Sequence, residues 1–336
     1  MEHNASSISS WATEGEGSGD TQLTALTKDD RGVWTSDDEL HATIRSRDCP
    51  PGPYLRGGLL GKGGWSCVYK VRRLRDGDLF AGKASTAMKQ LRREATILRA
   101  LSHSHIVKYV DWYQDATPPT ATLLVTELCL EGTLQAKIDH LPNGASRLET
   151  IQVILQCSKA LEYIHNKRLY HSDIKPRNIL VRTWDPVNVA IGDCADIKPN
   201  TFTGKVVGTP SFWSPYIVKN SRHEGASDDV WALGISLLGL MAQWPKVGTK
   251  EELKKYPQTC FEHAQKLERL NKRDHLVYIL CRMLAWEAKD RASSTECVDK
   301  FARSFTFESK KAARGDASDQ GLGIKTPKDF RPISFW

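Results

Sequence analysis

The sequence predicts an α+β protein in two lobes: a small antiparallel β-sheet lobe with one helix, then a larger, mostly helical lobe. Three observations carry that expectation. From Tyr54 to about Thr126, short apolar runs alternate with period two between glycine and Asp-Gly turns. Beyond Leu128 the apolar residues recur at helical spacing instead. Cys49-Pro50-Pro51-Gly52-Pro53, which no helix or central strand accepts, marks the start of the folded part. The boundaries read as a leader over 1–53, a small lobe over 54–128, a large lobe over 129–307 and an extended tail over 308–336.

Taken in order, Arg56–Gly61 and Cys67–Arg73 flank a glycine turn as a hairpin, and Leu79–Ala84 follows Asp76-Gly77-Asp78 as a third strand. Lys89–Leu101 is a helix, because Leu91, Ala95, Leu98 and Leu101 share a face. Ile106–Tyr113 and Thr122–Glu127 alternate as two further strands. In the second half Leu148–Asn166 places Ile151, Ile154, Leu155, Leu161 and Ile164 at helical spacing. Val230–Ala242 is apolar on nearly every side, and its 13 residues fit a buried core helix rather than a membrane span. Leu267–Arg273, Leu276–Trp286 and Ser294–Ser304 read as three more helices.

Composition narrows the function classes. Hydrophobic residues make up 40 % and charged residues 26 % of 336, as in ordinary globular proteins. Eight scattered cysteines form no C-x-x-C pair, so neither a zinc site nor a redox motif is expected. With a polar, acidic start in place of a signal peptide, a cytoplasmic or nuclear setting follows. Net charge is +7, but residues 1–48 carry ten acidic against four basic residues, leaving +13 on the remainder. The acidic leader reads as solvated and disordered; a sharper reading has it fold back over a basic substrate face. No aromatic-interleaved basic patch accompanies the excess, so nucleic acid is not an expected partner, nor is a membrane. Oligomeric state is not legible.

The chemistry concentrates in Tyr170–Leu180, YHSDIKPRNIL. Asp173, Lys175 and Asn178 share one tight loop ahead of an apolar strand. A carboxylate to orient a hydroxyl, a cation for a migrating phosphoryl group and an amide oxygen for Mg²⁺ suit phosphoryl transfer. The stretch resembles the H-R-D-L-K-P-x-N loop of eukaryotic protein kinases, with Ser172 in the place of arginine. Further parts resemble that family in the same order. Leu60-Gly61-Lys62-Gly63-Gly64-Trp65-Ser66-Cys67-Val68 is similar to the glycine-rich loop, with Ser66 for its last glycine. Phe80-Ala81-Gly82-Lys83 is similar to V-A-I-K, Ile191-Gly192-Asp193-Cys194-Ala195 stands at D-F-G, and Gly208–Tyr216 at G-T-P-x-Y-x-A-P-E. Asp229-Val230-Trp231-Ala232-Leu233-Gly234 matches D-x-W-x-x-G, and Arg291 the late arginine.

The resemblance implies the bilobal protein kinase fold, ATP and Mg²⁺ as cofactors, and a serine/threonine protein kinase acting on protein substrates. Asp173 and Lys175 would be catalytic, Asp173 at the acceptor hydroxyl and Lys175 at the γ-phosphate. Asn178 and Asp193 would hold metal. Leu60, Gly61, Gly63, Gly64, Val68, Ala81, Lys83, Glu94, Thr126, Glu127, Cys129 and Leu180 would form the ATP-binding set. Within it Lys83 pairs with phosphates and with Glu94, Thr126 is the gatekeeper, and Glu127 to Cys129 is the hinge; Thr133 could reach the ribose.

Four departures support an alternative, a pseudokinase that binds ATP or acts as a scaffold: Ser172, Cys194-Ala195, Tyr216, and the short interval of 11 residues from Lys83 to Glu94. Against it, every residue implied to touch phosphate, metal or hydroxyl is retained. Small-molecule kinases share the core pieces but usually lack the G-T-P segment and the D-x-W-x-x-G helix. Cys194 reads as a buried structural thiol, or else as a redox-sensitive one beside the metal. Arg291 is expected to need a carboxylate other than the missing glutamate, or else to contribute less. Ser172 implies activity independent of activation-loop phosphorylation. Arg177, with Lys175, Lys198 and Lys205, suggests acidic or already phosphorylated substrates.

Overall fold

A computed structural model of the chain describes residues 53–114, 122–247, 249–314, 322–327 and 330. The acidic leader up to residue 52 and the terminal Ile333–Trp336 lie outside the described residues. Two compact units emerge. The first takes the described residues up to Ala95 and those between Tyr109 and Leu128, and the second takes Thr96–Lys108 and the described residues from Cys129.

Five strands make the first unit: β1 (Tyr54–Lys62), β2 (Ser66–Arg73), β3 (Leu79–Ser85), β4 (Tyr109–Gln114) and β5 (Thr122–Glu127). They pair antiparallel throughout, in the order β1-β2-β3-β5-β4. Alternation puts Tyr54, Tyr69, Val71, Leu123 and Val125 on one face, with Phe80 and Tyr113 packed against them. Gly82 belongs to this packing: a Cβ there would stand 2.7 Å from Val71 Cγ1, so the missing side chain makes room for a neighbour. β4 starts three residues later than expected. Ile106 forms an isolated parallel bridge to Ile191, and the Val107 N–H donates to the Ile191 carbonyl at 2.9 Å.

Helix α1 (Met88–Ala100) buries Leu91, Ala95 and Leu98 as its spacing requires. Only Thr86 and Ala87 separate Ser85, the last residue of β3, from its first turn. The Ser85 hydroxyl accepts from the Ala87 N–H at 3.0 Å, turning the chain straight from strand into helix.

The second unit opens with α2 (Leu134–Asp139), which the apolar pattern was too short to signal. The Thr133 hydroxyl caps it by accepting from Ala136 N–H at 3.2 Å. α3 (Arg147–Asn166) starts at a capping box made by Ser146 and Glu149 and buries Ile151, Ile154, Leu161 and Ile164. Short strands β6 (Leu169–Tyr170) and β9 (Lys198–Pro199) pair with each other. β7 (Ile179–Trp184) and β8 (Val187–Ile191) form a hairpin between them. After α4 (Pro215–Asn220), α5 (Ala226–Leu240) is buried from Asp228 onward. It begins four residues before the expected start because Asp228 Oδ2 accepts from the N–H groups of Glu224 (2.7 Å) and Gly225 (3.1 Å).

α6 (Lys250–Leu270) corrects the sequence reading most. Its last turn alone was expected, as a separate helix over Leu267–Arg273. Tyr256, Cys260, Ala264 and Leu267 are its buried stripe, and Thr249 with Glu252 forms its capping box. α7 (His275–Met283) and α8 (Ser294–Ala313) follow. α8 continues nine residues beyond Ser304, so 308–313 are helical rather than extended tail. Arg147 holds this corner, pairing with Asp274 and Glu308 at 2.8 Å each. The described tail returns to the same surface. Leu322 is buried, Asn271 exchanges two hydrogen bonds with the Lys325 backbone, and Phe330 stacks on His263 at 4.3 Å. Among the described residues, no helix is long and apolar enough to cross a membrane.

Candidate active site

In the first unit, strand register brings the expected ATP-binding residues side by side. Val68 lies opposite Lys83, Ala81 opposite Thr126, and Phe80 opposite Glu127. Lys83 Nζ stands 2.8 Å from Glu94 Oε2, and the Glu94 side chain is nearly fully buried. The short interval between them does not prevent the pair. It is short because α1 starts at once after Ser85-Thr86-Ala87, leaving Glu94 on its second turn. A buried carboxylate needs a partner, and this lysine supplies it.

Leu60, Gly61, Gly63 and Gly64 sit at the β1–β2 turn. The Gly63 N–H donates to the Ser66 carbonyl at 2.7 Å, closing that turn. A Cβ built on Gly61 or Gly64 would meet nothing within 4 Å, and neither residue has positive φ. Chain conformation and internal packing therefore give no reason for glycine at either position. A phosphate approaching the backbone would give one, so the loop fits the anion that the resemblance implies.

The second unit gathers Asp173, Lys175, Asn178 and Thr209. Asp173 Oδ1 accepts from the Thr209 N–H (2.9 Å) and hydroxyl (2.8 Å); Oδ2 accepts from Lys175 Nζ (2.7 Å) and Asn178 Nδ2 (3.0 Å). Lys175 Nζ also reaches Thr209 Oγ1 at 2.7 Å, so the hydroxyl takes one bond and gives another. Asn178 Nδ2 donates in addition to the Asp173 carbonyl at 2.8 Å. With the amide nitrogen so committed, the amide oxygen remains as an acceptor for a hard cation. Asp193 is exposed, in left-handed conformation with φ 53°. An amide oxygen and a carboxylate are the donor types Mg²⁺ takes.

Asp229 explains why the loop holds its shape. Its Oδ2 accepts from the His171 N–H at 2.7 Å and its Oδ1 from the Ser172 N–H at 2.8 Å, which fixes Ser172 at φ 67°. The fully buried His171 accepts at Nδ1 from the Asp173 N–H (3.3 Å), so its Nε2–H donates to the Gly192 carbonyl at 3.1 Å. The loop is thereby joined to the segment bearing Asp193. A second joint is the Ser172 hydroxyl, 2.6 Å from both the His171 and Asp196 carbonyls.

The remaining expected residues fall as follows. Leu180 pairs with Ala190 on the β7–β8 hairpin and bridges to Thr133. Cys129 is buried, and its carbonyl accepts from the Gly132 N–H at 3.3 Å. Thr133 spends its hydroxyl oxygen on the α2 cap rather than presenting it unengaged to a ribose. Cys194 has no exposure, which favours the structural thiol over the redox-sensitive one.

Of the two expectations for Arg291, the replacement carboxylate is not met: among the described residues no carboxylate bonds to it directly. The guanidinium donates to the carbonyls of Ala285 (3.1 Å), Ser227 (2.9 Å) and Trp286 (3.3 Å) and lies 5.1 Å from the Trp231 ring centroid. Burial holds its pKa below the ordinary arginine value, with Asp228 the largest opposing charge. Tyr216 turns elsewhere, accepting from Arg222 Nε at 2.8 Å. Thr209 is legible in the sequence only as part of Gly-Thr-Pro, and the folded chain brings it onto Asp173, 36 residues away.

Comparison with known proteins agrees with this geometry. A family model described as "Protein kinase domain" matches residues 54–301. Mitogen-activated protein kinase kinase kinase 17 of Arabidopsis thaliana is 27 % identical over 59 % of this chain and 55 % of its own length. Serine/threonine-protein kinase PLK4 of Drosophila sechellia is 30 % identical over 69 % of this chain and 29 % of its own. Serine/threonine-protein kinase 33 of Mus musculus is 27 % identical over 60 % and 44 %. The chain thus spans about half the length of these relatives, or less. A strand-rich unit with one helix, a helical unit holding the HxDxKxxN loop, and a match over most of the length place this chain in the protein kinase family.

Proposed function

We propose that the chain is an active serine/threonine protein kinase that transfers the γ-phosphoryl group of Mg-ATP to protein hydroxyls. The single observation that carries this is the closed set of hydrogen bonds on Asp173 from Thr209, Lys175 and Asn178. A carboxylate held from both sides is positioned before any hydroxyl arrives, which is most of what this reaction asks of a protein.

In this reading Mg-ATP supplies the migrating phosphoryl group and the cation that balances its charge. Asp173 orients the acceptor hydroxyl and takes its proton on a carboxylate oxygen. The Lys175 ammonium faces the migrating group, and Asn178 and Asp193 offer oxygens to the metal. In the first unit Lys83, steadied by Glu94, holds phosphate oxygens under the Gly61–Gly64 backbone. Val68, Ala81 and Leu180 flank the adenine, and Thr126 to Cys129 present backbone groups to it.

A scaffold with little transfer is the second reading, favoured by Cys194 and Ala195 in the D-F-G place and by Tyr216. The polar set around Asp173 would have no purpose in such a scaffold, and that set is complete. Arg177 and Lys205 are exposed, which supports acidic or phosphorylated substrates, whereas Lys198, expected beside them, is buried against Asp196 and the Phe202 ring. Ser172 engages a backbone carbonyl where an arginine could read phosphate, which supports activity without activation-loop phosphorylation. The seven described cysteines are all free thiols, in keeping with a cytoplasmic or nuclear protein. Residues 1–53 are proposed as a leader that modulates the domain.

The test is transfer of labelled γ-phosphate from Mg-ATP to generic acceptor proteins by the chain and by its Asp173→Asn variant. Transfer by the first and not the second supports the kinase. Binding of ATP with no transfer by either moves the protein to the scaffold class.

A further inference from the structure

The Trp65 carbonyl, at the tip of the glycine-rich turn, accepts from the Ser85 hydroxyl at 2.6 Å and from the Thr86 N–H at 3.1 Å. The Thr86 hydroxyl stands 3.5 Å away. The same Ser85 oxygen accepts from the Ala87 N–H at the start of α1. One hydroxyl therefore touches both the turn and the helix that carries Glu94. The Trp65 side chain is 63 % exposed and packs too little to hold the tip, so the backbone bonds must hold it. A Cβ at Gly61 or Gly64 would meet nothing, so side-chain packing does not fix the turn there either.

We propose that Ser85 is a positioning residue that couples the glycine-rich turn to helix α1, so that the backbone over the phosphates and the Lys83–Glu94 pair open and close together. This rests on the kinase reading for its purpose, but not for its physics. An isolated hairpin tip built on Gly61, Gly63 and Gly64 would sample many conformations. Tying its carbonyl to the β3–α1 connection removes most of them before nucleotide binds, and preorganisation of this kind strengthens binding. The two-residue connection of Thr86 and Ala87 makes the coupling short, because Ser85 lies two residues after Lys83 and nine before Glu94.

The test compares the full chain with Ser85→Ala and Ser85→Thr, by amide hydrogen exchange without ligand and by titration with Mg-ADP. In Ser85→Ala, exchange should rise about fivefold in both 60–67 and 85–94, as for a freed local opening unit. Affinity for Mg-ADP should fall about fivefold with the melting temperature unchanged, and Ser85→Thr should restore both. Unchanged exchange in Ser85→Ala, or a rise in the turn alone, would overturn the coupling. Full exchange effects with no phosphoryl transfer by the unmodified chain would leave the coupling standing while the kinase reading fell.

Discussion

The Thr209 hydroxyl lies 2.8 Å from Asp173 Oδ1 and 2.7 Å from Lys175 Nζ, so one side chain bonds the two residues on which the proposed chemistry depends. The activation segment thereby contributes directly to the geometry of the catalytic loop. Thr209→Val keeps the volume and removes both bonds. Expected is a fall in kcat of about 10²-fold with KM for ATP within a factor of three, measured by steady-state phosphoryl transfer. Thr209→Ser should retain most of the rate.

Gly208, beside it, has φ 95°, and a Cβ there would stand 2.3 Å from the Ser172 carbonyl oxygen. Backbone cannot yield as a side-chain tip can. Gly208→Ala should therefore displace the segment, at a cost of about 1–3 kcal/mol, and lose transfer as fully as Thr209→Val. A melting curve and an activity assay on the same sample would check both.

The carbonyls of Ala285 and Trp286, which lie outside the helices, lose a charged donor once the Arg291 guanidinium is gone, and that of Ser227 in α5 loses one of its bonds. Arg291→Ala should cost about 1–3 kcal/mol, since a buried charged donor to three carbonyls and its packing on Trp231 are lost together. Arg291→Lys should recover little of it, because an ammonium on a flexible stem does not reproduce a planar fork spread over three acceptors and an indole face. Denaturant midpoints of the three proteins decide this.

The pH dependence has a defined sign at His103 and His105. Burial, the largest cause for both, holds each imidazole below its ordinary value of about 6.5. His103 Nδ1 accepts from the His105 N–H at 3.1 Å, which requires the neutral ring. A base with a lowered folded pKa stabilises fully above its unfolded pKa, and that stability is lost as pH falls toward the folded value. The chain should lose stability between pH 7 and pH 5. His103→Asn, which keeps an acceptor and does not titrate, should lose less over the same interval in thermal melts.

The described tail offers a fourth handle on stability. Leu322 is buried, and Asn271 pairs with Lys325 through both backbone groups. Leu322→Ala should cost about 2 kcal/mol, at the low end for a buried leucine because the tail can settle. At roughly 2–4 °C per kcal/mol for a domain of this size, the shift is readable by calorimetry.

The parts legible in the sequence were those encoded within a few residues. Asp173, Lys175 and Asn178 lie in one short loop, and Lys83 and Glu94 follow from a strand and a helix whose apolar periods are clear. α6 was not legible. Its stripe of Tyr256, Cys260, Ala264 and Leu267 mixes types that carry little hydrophobic signal, and Pro257 inside it reads as a helix breaker. Three further facts depend on chain segments meeting in space: the carbonyls taken by Arg291, the threonine on Asp173, and the return of residues 322–327. No local pattern announces such meetings, and a departure such as Tyr216 gives no hint of which groups inherit a stranded guanidinium.

The connection of Thr86 and Ala87 has a pharmacological consequence. Space beside the Lys83–Glu94 pair could open only if α1 tilted away from the sheet. With two residues between strand and helix, and a hydroxyl already tying them, this protein has little slack with which to make that space. Adenine mimics should find a receptor, and wedge-shaped inhibitors should come back from a screen empty.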